Sequence, residues 1–149
     1  MNAKALGALV VALVACESKP RFEAPMVLGG HEVSASVLNQ GARVYDMRCA
    51  SCHGNDGSGN GNAGRALKSR PRDFRTADFR YASEGEGTLP TDADLESVIR
   101  NGRLEEGMPA WTALSAEDVH AVIQFIKTFS PKWQGREHDS GTHQVAGAG

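Results

Sequence analysis

A chain of 149 residues with 40% apolar and 23% charged content has the composition of one soluble globular domain, not that of a membrane-embedded or disordered protein. Sixteen Lys+Arg against eighteen Asp+Glu leave a net charge of −2, which removes the electrostatic footprint of a nucleic-acid-binding protein. Three cysteines exclude a fully paired internal disulfide framework, one of them stands far from the other two, and aromatic residues, at 6%, are sparse for a core of this size.

The chain opens with Lys4 followed by an uncharged apolar run from Ala5 to Ala15, then turns polar at Cys16-Glu17-Ser18-Lys19-Pro20. That run is about half the ~20 residues a membrane-spanning helix needs, and it reads as the apolar region of an export signal. Leu13-Val14-Ala15-Cys16 resembles the lipobox of bacterial lipoproteins, which implies cleavage before Cys16 and its acylation. An ordinary secretory signal with an incidental cysteine, or a short uncleaved anchor, is the alternative. Loss of residues 1–15 removes one lysine and no acid, leaving a net charge of −3. Residues 16–33 mix Pro20, Pro25, Gly29 and Gly30 with charges and lack a sustained period, as a flexible tether does. The seventeen residues from Glu17 to Val33 would reach about 20–25 Å on average.

A first helix is predicted from about Ser34, with Gly41, Tyr45 and Cys49 at steps of four on one face and Val37, Leu38 and Val44 also apolar. It runs into Cys49-Ala50-Ser51-Cys52-His53, the C-x-x-C-H pattern of covalent c-type haem attachment. Two thiols three positions apart can add to the two vinyl groups on one porphyrin edge, and the adjacent imidazole can then reach the iron. A thioredoxin-like pair requires a buried strand beforehand, and none precedes. A zinc site requires two further ligands at ordered spacing, and no other cysteine is near.

From about Ser34 to Trp133 the chain resembles the monohaem class I cytochromes c. The resemblance implies an all-α cytochrome c fold, with three main helices and loops around one covalently bound haem c. It also implies that Gly41 and Tyr45 form the crossing point with the last helix, and that the domain carries single electrons outside the cytoplasm.

Gly54-Asn55-Asp56-Gly57-Ser58-Gly59-Asn60-Gly61-Asn62-Ala63-Gly64 follows the haem motif. Gly59-x-Gly61-x-x-Gly64 matches a dinucleotide fingerprint, but the strand that fingerprint requires is missing. Asp56-x-Ser58-x-Asn60-Gly61 begins like a calcium loop, yet Leu67 stands where a bidentate glutamate is needed. A flexible glycine-rich loop around the haem edge is the simpler expectation. The next stretch is basic, and Pro71-Arg72-Asp73-Phe74 resembles the family segment in which a proline carbonyl accepts from the second nitrogen of the proximal imidazole. On that resemblance Pro71 is the acceptor and Phe74 enters the haem pocket. Arg70, Arg72 and Arg75 either neutralise haem propionates or form a solvated basic face.

A third helix is predicted from Asp92 to about Asn101, opened by Thr91 with Asp94 three residues later and closed by Gly102. Gly107-Met108-Pro109 follows, and Pro109 keeps Met108 out of helical geometry. The resemblance makes Met108 the distal iron ligand opposite His53, which saturates the iron and leaves no position for substrate. Met26 and Met47 are poorly placed for that role. His31, His120, His138 and His143 are the alternatives. Seven acids between Glu84 and Glu106 give this region a polarity that can orient docking to a redox partner.

The last helix begins with Ser115-Ala116-Glu117-Asp118 and carries Val119, Val122, Ile123, Phe125 and Ile126 until Ser130-Pro131. The resemblance places Val122 and Phe125 against Gly41 and Tyr45. Residues 134–149 are predicted to be a disordered tail.

The reading is thus a lipid-anchored monohaem electron carrier of the bacterial cell envelope, on the periplasmic side, with one protein as electron donor and another as acceptor. A cytochrome subunit of a membrane redox complex, and a haem enzyme or sensor with an open distal site, are the rival functions. A plain thiol pair at Cys49 and Cys52 is the rival without haem.

Overall fold

A computed structural model of the chain describes residues 19–85 and 87–134; the run expected to be an export signal, Cys16, Glu86, His138, His143 and the expected tail beyond Gln134 lie outside the described residues. Four helices dominate: α1 (Ala35–Arg48), α2 (Ala50–His53), α3 (Asp92–Asn101) and α4 (Ala116–Lys127). A two-stranded antiparallel hairpin, β1 (Met26–Leu28) and β2 (His31–Val33), precedes them.

The helix starts follow from their capping residues. Ser34 accepts from the amide of Val37, and Ser115 accepts from the amide of Asp118 at 3.0 Å. Thr91 and Asp94 form a reciprocal capping box, so two amides at the start of α3 are satisfied together. Asp118 does not close such a box; its carboxylate instead accepts from Gln40 of α1 at 2.9 Å. Helix α4 stops at Lys127, earlier than Ser130, where the Thr128 hydroxyl turns back to the Phe125 carbonyl at 2.6 Å.

The core lies where α1 crosses α4. Leu38, Ala42, Val44 and Tyr45 from α1 and Val119, Val122, Ile123, Phe125 and Ile126 from α4 are buried. A side chain at Gly41 would bring its Cβ to 2.0 Å from the Ala121 carbonyl oxygen and 2.8 Å from Phe125 Cβ. The glycine is thus required by the crossing, with Phe125 as expected and Ala121 making the closest approach where Val122 was anticipated. The Tyr45 ring packs on Phe125 and Phe129 at 5.2 and 5.1 Å. Helix α3 is fastened to α4 by a network in which the buried Lys127 pairs with the exposed Asp92 and Gln124 joins both.

The segment anticipated as a flexible tether is largely docked. Gly29 and Gly30, both at positive φ, form the tight turn of the hairpin. Leu28 is fully buried with Val33 and Leu38, and Gly29 donates to the Trp133 carbonyl at 2.7 Å. Upstream, Asn39 holds both the amide and the carbonyl of Phe22, whose ring meets Phe125 edge-on at 6.0 Å. The sequence pattern missed this because three-residue strands leave too little alternation to read.

Candidate functional site

Cys49 closes α1, its amide still bonded to the Tyr45 carbonyl, and also opens α2, so the two cysteines and His53 share one tight turn. Both cysteines are free thiols and half-buried. Burial, with a smaller contribution from Cys52, pushes the Cys49 thiol up to about 12. A thiol held protonated in this way is a poor thiolate nucleophile, which argues against a thioredoxin-like pair. No cluster of three or more His, Cys, Asp or Glu side chains suited to a metal ion occurs among the described residues, so a tetrahedral zinc site lacks its donors.

His53 has a defined orientation. Its Nδ1–H donates to the carbonyl of Arg72 at 3.2 Å, and its ring stacks on Phe74 with centroids 4.4 Å apart and planes 14° from parallel. Burial holds the imidazole below its ordinary pKa against the opposing pull of the Arg72 carbonyl, so the neutral ring is favoured. With the proton on Nδ1, the Nε2 lone pair is left for a metal.

The acceptor is Arg72 rather than Pro71. In this extended stretch successive carbonyls point in opposite directions. The Pro71 oxygen faces the glycine loop, within 2.3 Å of where a Cβ at Gly59 would stand. Arg70 donates to Asn60 at 2.6 Å, and Arg75 pairs with Asp73 and Asp56, so both guanidinium groups are engaged on the protein surface.

The glycine-rich loop is an ordered brace, not a flexible wrap. Amides of Gly54, Gly59, Gly61 and Ala63 donate to the carbonyls of Ala50, His53, Cys52 and Ser51 at 2.8–3.0 Å. Each of these carbonyls belongs to the haem-motif turn. A Cβ at Gly61 would stand 2.3 Å from the Ser51 oxygen, and one at Gly64 would stand 2.3 Å from the Cys52 oxygen. Glycine is needed because the loop backbone lies directly against the turn. Tyr45 adds a further tie, its buried hydroxyl donating to the Gly54 carbonyl at 2.7 Å.

Met108 sits in a closed loop. Arg103 and Met108 exchange backbone hydrogen bonds at 2.8 and 2.9 Å, and Gly107 turns the chain at φ +87°. Gly102 is forced by packing, since a Cβ there would stand 2.5 Å from the Ala110 amide nitrogen. Met108, Cys49, Phe79, Trp111, Leu114 and Phe129 are half-buried side chains packed along the edge of the main core. Such an apolar fringe, with two reduced thiols and a tautomer-fixed imidazole beside it, fits a flat, covalently attached haem. Among the alternative histidines, His31 is exposed on the hairpin and His120 is exposed on the outer side of α4. Met47 is also exposed, and Met26 packs in the hairpin cluster.

Sequence reasoning missed the Arg72 carbonyl, the Tyr45 hydrogen bond and the ring contacts of Phe79. Each depends on how the loops return to the haem-motif turn, which no local pattern encodes.

A family model described as "Cytochrome C oxidase, cbb3-type, subunit III" matches residues 36–126. Among solved structures, a chain of the Kuenenia stuttgartiensis reducing HAO-like protein complex is similar, with a TM-score of 0.60 and 34% sequence identity. The similarity covers 62% of this chain and spans 42% of that one.

Proposed function

The chain belongs to the cbb3-type cytochrome c oxidase subunit III family, whose c-type cytochrome domain carries covalently bound haem and transfers electrons, and from that premise we propose a one-electron carrier anchored by lipid outside the cytoplasm. In this reading Cys49 and Cys52 would hold one haem through thioethers, and His53 and Met108 would ligate its iron. Bound there, the haem supplies a reversible one-electron couple. The protein keeps that couple from becoming a reaction site. The Arg72 carbonyl fixes the His53 tautomer and strengthens it as a donor, while Phe74 restrains the ring. The Arg103–Met108 backbone pair closes the loop from which Met108 would offer its thioether to the iron. Thioether ligation favours the ferrous state and raises the potential.

The observation that carries the reading is the haem-motif turn, in which two thiols and an oriented imidazole are braced from behind by four loop amides. Protein matured with haem-attachment machinery should retain its haem through acid–acetone extraction, and Cys49→Ser with Cys52→Ser should release it. Retention by the double variant would refute covalent attachment at these cysteines.

The export signal and Cys16 support placement in the cell envelope, facing the periplasm in a bacterium. Labelled fatty acid should enter the wild-type protein but not Cys16→Ala, and equal labelling would exclude the anchor. A second reading, a fixed subunit of a membrane redox complex, is favoured by the kind of protein the chain resembles: an oxidase subunit family and a chain from a protein complex. Co-purification of stoichiometric partners after mild solubilisation separates the subunit from the free carrier.

A further inference from the structure

Residues 74–83 run as a strap from the proximal side of the site to the loop that carries Met108. At one end Phe74 stacks on His53. Phe79 then packs on Phe74 at 6.1 Å and on Trp133 at 5.5 Å. Farther along, the backbone amide and hydroxyl of Ser83 donate to the Asp94 carboxylate at 3.2 and 3.0 Å, tying the strap to the start of α3. Between these anchors stands Tyr81, whose contacts lie in the Met108 loop. The Arg103 guanidinium lies over its ring at 3.4 Å from the centroid, and its hydroxyl donates to Glu106 at 2.8 Å. Arg103 is also the residue whose backbone pairs with Met108.

We infer that Tyr81 and Arg103 form a latch that holds the Met108 loop closed against the strap, making them positioning residues for the distal ligand. The inference rests on Met108 being that ligand. Two contacts join Tyr81 to a six-residue loop that is also closed by its own backbone pair, lies against Leu67 at Gly107 and packs on the core through Met108. The latch therefore governs how often the loop opens, not whether the domain folds. A cation over an exposed ring and one side-chain hydrogen bond each shift an equilibrium by a few-fold.

The test uses the full-length holoprotein with four variants: Tyr81→Phe, Tyr81→Ala, Arg103→Ala and Met108→Ala. Two quantities are read: the rate of carbon monoxide binding to the ferrous protein, and the urea concentration at which the methionine-to-ferric-iron charge-transfer band disappears, set against loss of helical circular dichroism. Tyr81→Phe should raise the carbon monoxide rate about threefold, through loss of the hydroxyl contact alone. Arg103→Ala, which removes the ring contact alone, should raise it about threefold, and Tyr81→Ala, which removes both contacts, about tenfold. In these variants the band should vanish at lower urea while the helical transition stays in place. Wild-type rates in Tyr81→Ala and Arg103→Ala, with the band abolished in Met108→Ala, would overturn the latch and leave the ligand standing. Band and helical transition moving together would also overturn it, since that marks a purely structural role. A band that survives Met108→Ala would remove the ligand assignment and the latch with it.

Discussion

At the scale of single residues, the site depends on atoms that leave no room for side chains. Gly41 and Gly61 illustrate this, since a Cβ at either would stand within 2.3 Å of a carbonyl oxygen on the element packed against it. Neither carbonyl can move alone, because one belongs to α4 and the other to the haem-motif turn. Gly41→Ala should therefore cost about 1–3 kcal/mol in urea unfolding of the holoprotein, as overpacking of a filled core does. Gly61→Ala should cost a similar amount, about 1–3 kcal/mol, and should also lower the yield of haem attachment, because it pushes the brace away from the turn. Equal stability and yield in both variants would show that the backbones separate freely. The candidate chemical residues are carried by short patterns at this scale: C-x-x-C-H is a local one, and Gly-Met-Pro is nearly one. The proximal acceptor is not. Whether Pro71 or Arg72 faces the imidazole is a matter of one-residue register, and the glycine brace that sets the register becomes visible only in three dimensions.

At the scale of elements, α3 is held at its start. Thr91 and Asp94 cap its start, and Ser83 adds two donors to the same carboxylate. Burial opposes ionisation of Asp94, but the Thr91 and Ser83 donors outweigh it and hold the carboxyl below its ordinary pKa. A lowered folded-state pKa gives stability that is complete above the unfolded value, about 3.9, and is lost as pH falls through the folded value. The stability gap between wild type and Asp94→Asn should therefore be constant from neutral pH to about 5 and shrink below about 4. A gap that persisted in acid would contradict the role of the ionised carboxylate. At the same end of the helix, Asp92 pairs with Lys127, whose side chain is 6% exposed. Asp92→Ala leaves that ammonium buried without its counter-ion and should cost about 2 kcal/mol in thermal or urea unfolding. Lys127→Met, which removes the charge and keeps the volume, should cost less, and the reverse order would contradict this account. The caps were readable in the sequence because they are three-residue patterns. The Lys127 network was not, since its partners are more than thirty residues apart.

At the scale of the molecule, residues 21–33 are part of the domain. Cys16, the proposed site of lipid attachment, and Arg21, which pairs with Asp46 on α1 at 3.1 Å, have only four residues between them. The chain between them spans at most about 18 Å when extended, shorter than the reach expected of a free tether. Leu28→Ala tests the docking: it should cost about 3 kcal/mol as a buried leucine, whereas a leucine in a free tether would cost almost nothing. The helical architecture was legible throughout because α1, α3 and α4 are long enough to show their period. The hairpin and the ordered glycine loop were not, since their order comes from contacts with Trp133 and with the haem-motif turn. The two proposed iron ligands, His53 and Met108, lie 55 positions apart in the chain, and whether both bind decides between an electron carrier and a haem enzyme. The most direct test is the optical spectrum of the ferric holoprotein, wild type beside Met108→Ala. The account predicts a low-spin spectrum with a methionine-sulfur charge-transfer band that disappears in the variant. A high-spin or bis-imidazole spectrum that Met108→Ala leaves unchanged would contradict it.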